Sequence, residues 1–153
     1  MFGHWYVVAN QRGARVLSEI SNVANPRGVK QFKLIRAFEN PLGKLKTREL
    51  IHQEKGVGVK SLGRFGSSAR YAEAKRRNPH ELAAEQFARQ IVEYLQKERR
   101  KKTFSDLIVV AEPHFLGKLR AAMNPPIERK VSKWIRKDLQ KLSRARLTKM
   151  LPH

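Results

Sequence analysis

Apolar residues in the first forty positions cluster or alternate in the manner of β-strands. Residues 5–9 (WYVVA) form a continuous apolar run, which is typical of a buried strand. Residues 10–13 have turn chemistry, and residues 14–20 offer a second strand, so the pair predicts an antiparallel hairpin. Residues 21–31 contain the breakers of a loop. Residues 32–38 alternate, although both faces mix polar with apolar residues, and they predict a third strand.

The next apolar pattern has the period of a helix and follows a clear start signal. Asn78, Pro79 and Glu81 stand at the N-cap, first and third helical positions, as in a capping box. Residues 97–102 (KERRKK) end the helix with cations, which complement its C-terminal dipole. Spacings of three and four residues place one apolar face on this helix, formed by Ala84, Phe87, Ala88, Ile91 and Leu95.

The remaining residues predict a strand, a helix, a strand and a final helix. Residues 107–111 (LIVVA) are typical of another buried strand. Pro113 opens a helix that continues to residue 123 and ends at residues 124–126 (NPP). Residues 130–135 predict the last strand, and residues 143–151 predict a short helix. The order βββαβαβα predicts an α/β domain with a mixed sheet of about five strands, whose second half contains a parallel pair.

The charge of the chain narrows its possible partners. The 153 residues carry a formal net charge of +20 and are 41% hydrophobic, so we expect a single domain, residues 1–153, with a substantial core. A charge of this size favours nucleic acid or an anionic membrane surface as the partner. The alternative explanation of the net charge is that the proteins of the source organism are basic in general.

Two absences from the sequence exclude further classes of protein. No cysteine is present, which excludes disulfide scaffolds, thiol catalysis and cysteine-ligated zinc. The first residues have no basic segment before their short apolar run, and no later run approaches the roughly 20 apolar residues of a spanning helix. We therefore predict a cytoplasmic protein without a membrane span.

Residues 40–78 form a long connection between the third strand and the first helix, and we call them the basic arm. They hold ten Lys or Arg residues, three Glu residues and five glycines, with no sustained apolar period. A connection of this length in a compact domain is typical of a functional loop or of a solvated insertion without a partner. Both interpretations remain open, and the functional one would let the arm reach a polyanion.

The basic arm supplies the residues that we predict to contact nucleic acid. Its cations would bind phosphates, and its aromatic side chains would stack on bases of single-stranded RNA. Trp134 also lies among cations, but it fits a core or rim position of its strand better. The predicted phosphate contacts are Lys44, Lys46, Arg48, Lys55, Lys60, Arg64, Arg70, Lys75, Arg76 and Arg77, and the predicted stacking residues are Phe65 and Tyr71.

The basic arm is expected to respond to a partner. Ordering it costs about 1–2 kcal/mol of backbone entropy per residue, and its few apolar side chains do not offset that cost. We expect part of residues 55–70 to become ordered only when phosphates neutralise the charge. Trypsin should then cut the free protein first between Lys44 and Arg77.

No motif for catalysis or for cofactor binding is complete. The segment GVGVKS resembles a phosphate loop, but Val59 stands where a glycine must precede the lysine. The five histidines have no metal-ligand spacing, and His80 and His114 fit positions at the start of helices. Asp106 and Asp138 are the only aspartates, too few for a two-metal nuclease. We predict no enzyme activity, no metal and no cofactor.

Five segments resemble one bacterial family in their order and spacing. They are WYVVANQRGARVLSEI, GRFGSSARY, NPHELAAEQFARQIVEYL, FSDLIVVAEPHFLGKLRAAM and VSKWIRKDLQKL. The family is called "protein required for attachment to host cells", and it resembles the middle domain of archaeal–eukaryotic class-1 translation release factors and of Pelota. The resemblance implies a three-layer, RNase-H-like sandwich with helices on both faces of the sheet.

The resemblance also bears on the basic arm. In release factors, the corresponding connection carries Gly-Gly-Gln, which enters the peptidyl-transferase centre. The arm contains no Gly-Gly-Gln, and its Gln53 is followed by Glu54. The resemblance therefore implies RNA or ribosome contact without peptide release.

Three functions remain open from the sequence. The first is a cytoplasmic RNA- or ribosome-binding factor related to translation release and rescue proteins. The second is a host-interaction or adhesion protein, as the name of the family implies. The third is a hydrolase whose catalytic residues the sequence does not reveal. Export would favour the second function, and co-sedimentation with ribosomes would favour the first.

Overall fold

The computed structural model describes residues 3–20, 31–44 and 79–151. Each strand and helix predicted from the sequence is confirmed there, with small shifts of its bounds. The strands are β1 (Gly3–Asn10), β2 (Gly13–Ile20), β3 (Gln31–Glu39), β4 (Phe104–Ala111) and β5 (Val131–Arg136). The helices are α1 (Pro79–Arg100), α2 (Pro113–Ala122), α3 (Pro125–Glu128) and α4 (Arg144–Met150), and a 3-10 helix (Pro41–Lys44) follows β3.

Within the described residues, five strands form a mixed sheet in the order β3-β2-β1-β4-β5. The pairs β1–β2 and β2–β3 are antiparallel, and the pairs β1–β4 and β4–β5 are parallel. The predicted hairpin, the predicted parallel pair and the predicted α/β class are therefore confirmed. The RNase-H-like, three-layer description stays a prediction.

β1 lies at the centre of the sheet because its side chains are apolar on both faces. Residues 5–10 are all buried, and successive side chains of a strand point to opposite faces. Trp5, Val7 and Ala9 belong to one apolar cluster, whereas Tyr6 and Val8 belong to another. The continuous apolar run is thus explained by cover on both faces.

Two helices cover the first of these faces. The apolar side of α1 that the sequence predicts is buried, and it shares a cluster with the odd-numbered residues of β1. The ring of Phe87 in α1 lies 5.8 Å from the ring of Phe115 in α2, measured between centroids. Because this aromatic pair joins the two helices, α1 and α2 pack on the sheet together.

A shorter helix packs against the opposite face. Leu147 of α4 and Leu151, which follows it, are buried in the cluster that holds Tyr6 and Val8. The side chain of Ser143 accepts a hydrogen bond from the backbone N–H of Arg146 at 3.4 Å, which caps the first turn. The exposed residues of α4 face away from the sheet.

The position of β3 at the edge of the sheet explains why its sequence mixes polar and apolar residues on both faces. It is the edge strand beside β2, and only Phe38 among its nine residues is buried. A strand with so little burial has no strong requirement for alternation.

The sequence missed one short helix. Residues 124–126 were expected to end α2, and α2 does end at Ala122, but Asn124 also begins α3. The Asn124 side chain accepts from the backbone N–H of Ile127 at 3.4 Å, and Pro125 occupies the first helical position. An Asn-Pro pair is therefore both a stop signal and a start signal here.

Candidate nucleic-acid interface

The predicted contacts of the basic arm lie mostly beyond what the structure describes. Lys44 ends the 3-10 helix Pro41–Lys44. The expected ordering of residues 55–70 also concerns residues outside the described ranges. The eleven other predicted contacts lie outside them as well: Lys46, Arg48, Lys55, Lys60, Arg64, Phe65, Arg70, Tyr71, Lys75, Arg76 and Arg77.

The structure does define the point from which the arm departs. Asn40, the residue after β3, is 6% exposed. Its side-chain amide donates to the carbonyl of Gln11 at 2.9 Å, and its backbone N–H donates to the carbonyl of Arg12 at 3.0 Å. The start of the arm is thus tied to the turn between β1 and β2.

A second buried asparagine organises the same turn. The side-chain oxygen of Asn10 accepts from the backbone N–H groups of Arg12 at 2.8 Å and of Gly13 at 3.0 Å. Its amide nitrogen donates to Asp138 at 3.1 Å. Asn10 and Asn40 are the two buried polar residues of the described ranges, and burial without these partners would cost free energy. Together they connect the hairpin turn to the arm and to the segment after β5.

Close approach of neighbouring atoms favours glycine at position 13. A Cβ atom there would lie 3.1 Å from the side-chain nitrogen of Gln140 and 3.1 Å from the carbonyl oxygen of Phe38. The carbonyl belongs to the paired strand β3 and cannot rotate away. The glycine therefore lets the segment after β5 lie against the hairpin.

The helix that follows the arm begins in the same region. α1 begins at Pro79, directly after the arm, and the 3-10 helix at the start of the arm contacts α1. A cavity of about 150 Å³ lies between the turn, α1 and α2, and it is lined by Gln11, His80, Glu81, Ala84, His114 and Lys118. It lies where β1 and β4 end, and we call this side of the sheet the carboxyl edge. Ligands of open α/β sheets bind at such an edge.

Polar side chains of α1 and α2 meet at the rim of this cavity. His114 Nε2 lies 2.9 Å from Glu81 Oε1, and Lys118 Nζ lies 3.8 Å from Glu81 and 3.7 Å from Glu85. His114 is 61% and Glu81 is 43% exposed in their side chains. Water competes for pairs that are this exposed. The pair His114–Glu81 therefore joins the two helices only weakly.

The sequence contains a pattern from which this cluster could have been predicted. His80 and His114 do lie at the second positions of α1 and α2, as predicted. However, two acids stand four residues apart on α1, and two basic side chains stand four residues apart on α2. Residues at this spacing share one face of a helix, so the two faces are complementary once the helices pack.

The two aspartates lie at opposite ends of β1. Asp138 contacts Asn10, where β1 ends. Asp106 contacts His4 Nδ1, near the start of β1, and also accepts from the hydroxyl of Ser132 at 3.0 Å. Across the described residues, no group of three or more His, Cys, Asp or Glu side chains could hold a metal ion. Each aspartate thus connects one end of β1 to a residue outside that strand.

Trp134 occupies a structural position, as its place in the sequence favoured. It is half-buried against the core cluster of the α1 face. The guanidinium of Arg120 lies 5.3 Å from the centroid of its ring, and Arg120 also lies 3.5 Å from Glu128. The exposed side of the ring is therefore covered by a cation from α2.

Comparison with protein families decides one question. The family model described as "protein required for attachment to host cells" matches residues 5–151. The chain belongs to this family. No individual curated protein matches the chain.

The host-attachment match extends over nearly the whole described fold. It begins within β1 and ends after α4, so it includes the basic arm and both of its attachment points. The relation of this host-attachment family to release factors stays a prediction. Among the described helices, none is long and apolar enough to cross a membrane.

Proposed function

We propose that the chain is a cytoplasmic RNA- or ribosome-binding factor related to translation release and rescue proteins, with the basic arm as its contact. Residues 1–153 would act as one domain. The observation that carries this proposal is the net charge of +20 on 153 residues. Phosphate contacts of Lys and Arg supply most of the affinity in sequence-independent binding to nucleic acid.

The attachment of the arm supports this proposal. Asn40 is held by two hydrogen bonds at one end, and α1 packs into the core at the other. A loop that carries binding residues needs a rigid scaffold to present it. The arm therefore starts and ends on fixed elements at the carboxyl edge.

Titration with single-stranded RNA at several salt concentrations tests the proposal. If the arm neutralises about six phosphates, log K should fall with log salt at a slope of roughly −4. A variant in which Lys55, Lys60, Arg64 and Arg70 are replaced by Gln should show a shallower slope. Absence of binding at low salt, or a flat dependence on salt, would overturn the proposal.

The family description favours a second function, in host interaction or adhesion. Fractionation of cells separates the two functions. Recovery with ribosomes on a sucrose gradient at low salt supports the first. Recovery at the cell surface or in the medium, and not with ribosomes, supports the second.

A further inference from the structure

The segment from β5 to α4 carries an unbalanced positive charge. Residues 129–149 hold nine Lys or Arg residues and one acid, Asp138. Five of these cations are exposed on the segment after β5 and on α4, and they define what we call the β5–α4 surface: Lys137, Lys141, Arg144, Arg146 and Lys149. This surface is described in full by the structure and is separate in sequence from the basic arm.

Among the residues that the structure describes, the charge of the β5–α4 surface is not neutralised. No ion pair there joins any of the five cations to an acid. Asp138 accepts a hydrogen bond from buried Asn10 at 3.1 Å, so its position is fixed by the turn between β1 and β2.

Protection of the sheet does not explain the cations of the β5–α4 surface. β5 is an edge strand, and lysines on an edge strand prevent pairing with another chain. That reason applies to Lys133 and not to α4. Arg144 and Arg146 lie in the first turn of α4, which has no acid, although the helix dipole disfavours cations there. Stability of the fold therefore does not account for the arginines of α4.

Arg144 of α4 also repels the guanidinium of Arg15 in β2. The guanidinium of Arg15 donates to the carbonyl of Gln140 at 2.9 Å, to the carbonyl of Leu139 at 3.3 Å and to the side-chain oxygen of Gln140 at 3.1 Å. Burial lowers the pKa of Arg15, and the charge of Arg144 lowers it further. A bound anion beside Arg144 would relieve this repulsion. The hydrogen bonds of Arg15 also hold the segment before α4 in place.

The β5–α4 surface offers cations without an exposed aromatic ring. Trp134 is half-buried and covered by Arg120, so it offers no free ring for stacking. Single-stranded RNA is held largely by stacking of its bases. Double-stranded RNA keeps its bases paired and presents phosphates and 2′-hydroxyls instead. The chemistry of the surface thus matches the backbone of a duplex.

We propose that the β5–α4 surface binds the phosphate backbone of double-stranded RNA, as a second contact beside the basic arm. This inference rests on the proposed RNA-binding function. An anionic membrane would need a broad apolar face for insertion, whereas the exposed large apolar residue of α4 is Met150 alone.

Two charge-matched variants test the surface. The surface variant replaces Lys141, Arg144, Arg146 and Lys149 by Gln, and all four are exposed. The control variant replaces Arg89, Lys97, Arg100 and Lys101 by Gln, which lie on or directly after α1, on the opposite face of the sheet. Both variants lose four positive charges. Thermal unfolding of each confirms that it folds, and a third variant with Arg144→Lys and Arg146→Lys keeps the charge.

Binding is measured with a mixed-sequence RNA duplex of about 20 base pairs, with single-stranded RNA of equal length and with anionic vesicles. We expect the surface variant to lose at least about tenfold in duplex affinity, with a salt slope that is shallower by about three to four. The control variant and the Lys variant should keep most of the duplex affinity. The surface variant should bind single-stranded RNA nearly as well as the wild type.

The other outcomes overturn the inference in distinguishable ways. Equal losses in the surface and control variants would mean that only the net charge matters. Unchanged duplex binding by the surface variant, with intact RNA binding by the wild type, would exclude this surface and leave the proposed function standing. A loss confined to vesicles would assign the surface to a membrane. A wild type that binds no RNA at low salt would overturn the proposed function and this inference together.

Discussion

The side-chain amide of Asn40 donates to the backbone carbonyl of Gln11 at 2.9 Å, across 29 positions of the chain. This bond links the first residue of the basic arm to the turn that closes the first hairpin. Asn10 fixes that turn from inside by accepting from two backbone N–H groups. The arm thus departs from one of the most constrained points of the described fold.

Replacing Asn40 by Ala should destabilise the protein by about 1–3 kcal/mol, because the part-buried carbonyl of Gln11 loses its donor. Urea denaturation measures the change. Gln90→Ala, at an exposed position of α1, is the control and should change the free energy of unfolding by less than about 0.5 kcal/mol. Equal effects of the two substitutions would show that the Asn40 bond contributes nothing beyond the loss of a polar side chain.

The sequence predicted the elements of this fold better than it predicted their polar contacts. Residues 5–9 identified a doubly covered strand, and the Asn-Pro-His-Glu signal located the start of α1 to the residue. Both signals are local, because they depend on burial and capping of a few consecutive residues.

Contacts between distant residues could not be derived in the same way. Asn10 meets Asp138 across 128 positions, and this meeting depends on β4 lying between β1 and β5. Apolar period shows which face of a strand is buried but does not give the order of strands. The predicted nucleic-acid contacts lie in a loop, the basic arm. The composition of a loop gives its charge but does not give the positions of its side chains.

The pair Glu81–His114 should show weak coupling between α1 and α2. A double-mutant cycle with Glu81→Gln and His114→Gln, followed by urea denaturation, should give about 0.2–1 kcal/mol, as exposed pairs do. The control cycle combines His114→Gln with Glu93→Gln, an exposed position of α1 further along the helix, and should give no coupling. Coupling above about 2 kcal/mol would instead indicate a dry, strongly interacting pair suited to chemistry.

Tyr94 should make stability depend on pH in alkaline solution. Burial raises the pKa of Tyr94, Glu98 raises it further, and Arg36 opposes both. A raised pKa means that the folded state holds the phenolic proton more tightly than the unfolded state. The contribution of Tyr94 is therefore fully present below the ordinary pKa of about 10 and is lost as pH rises through the folded value.

Comparison of the wild type with Tyr94→Phe isolates this effect from the titration of lysines. The free energy of unfolding is measured for both proteins between about pH 8 and pH 11. The advantage of the wild type should shrink as pH rises above about 10. If the difference in free energy of unfolding between the two proteins is constant with pH, the raised pKa of Tyr94 is contradicted. If the advantage of the wild type grows with pH, the pKa of Tyr94 is lowered in the folded state.

The protein should not release peptide from peptidyl-tRNA on the ribosome, even where it binds. Release requires a group that positions the attacking water, and in translation release factors Gly-Gly-Gln supplies it. The basic arm has no Gly-Gly-Gln, and Gln53 lies between His52 and Glu54 without an adjacent glycine. Single-turnover release from a terminated complex, with a true release factor as the positive control, measures the activity. If this protein releases peptide, the variant Gln53→Ala decides whether that glutamine has taken the role. Loss of release in the variant would make the arm catalytic, whereas retained release would direct the search to another residue.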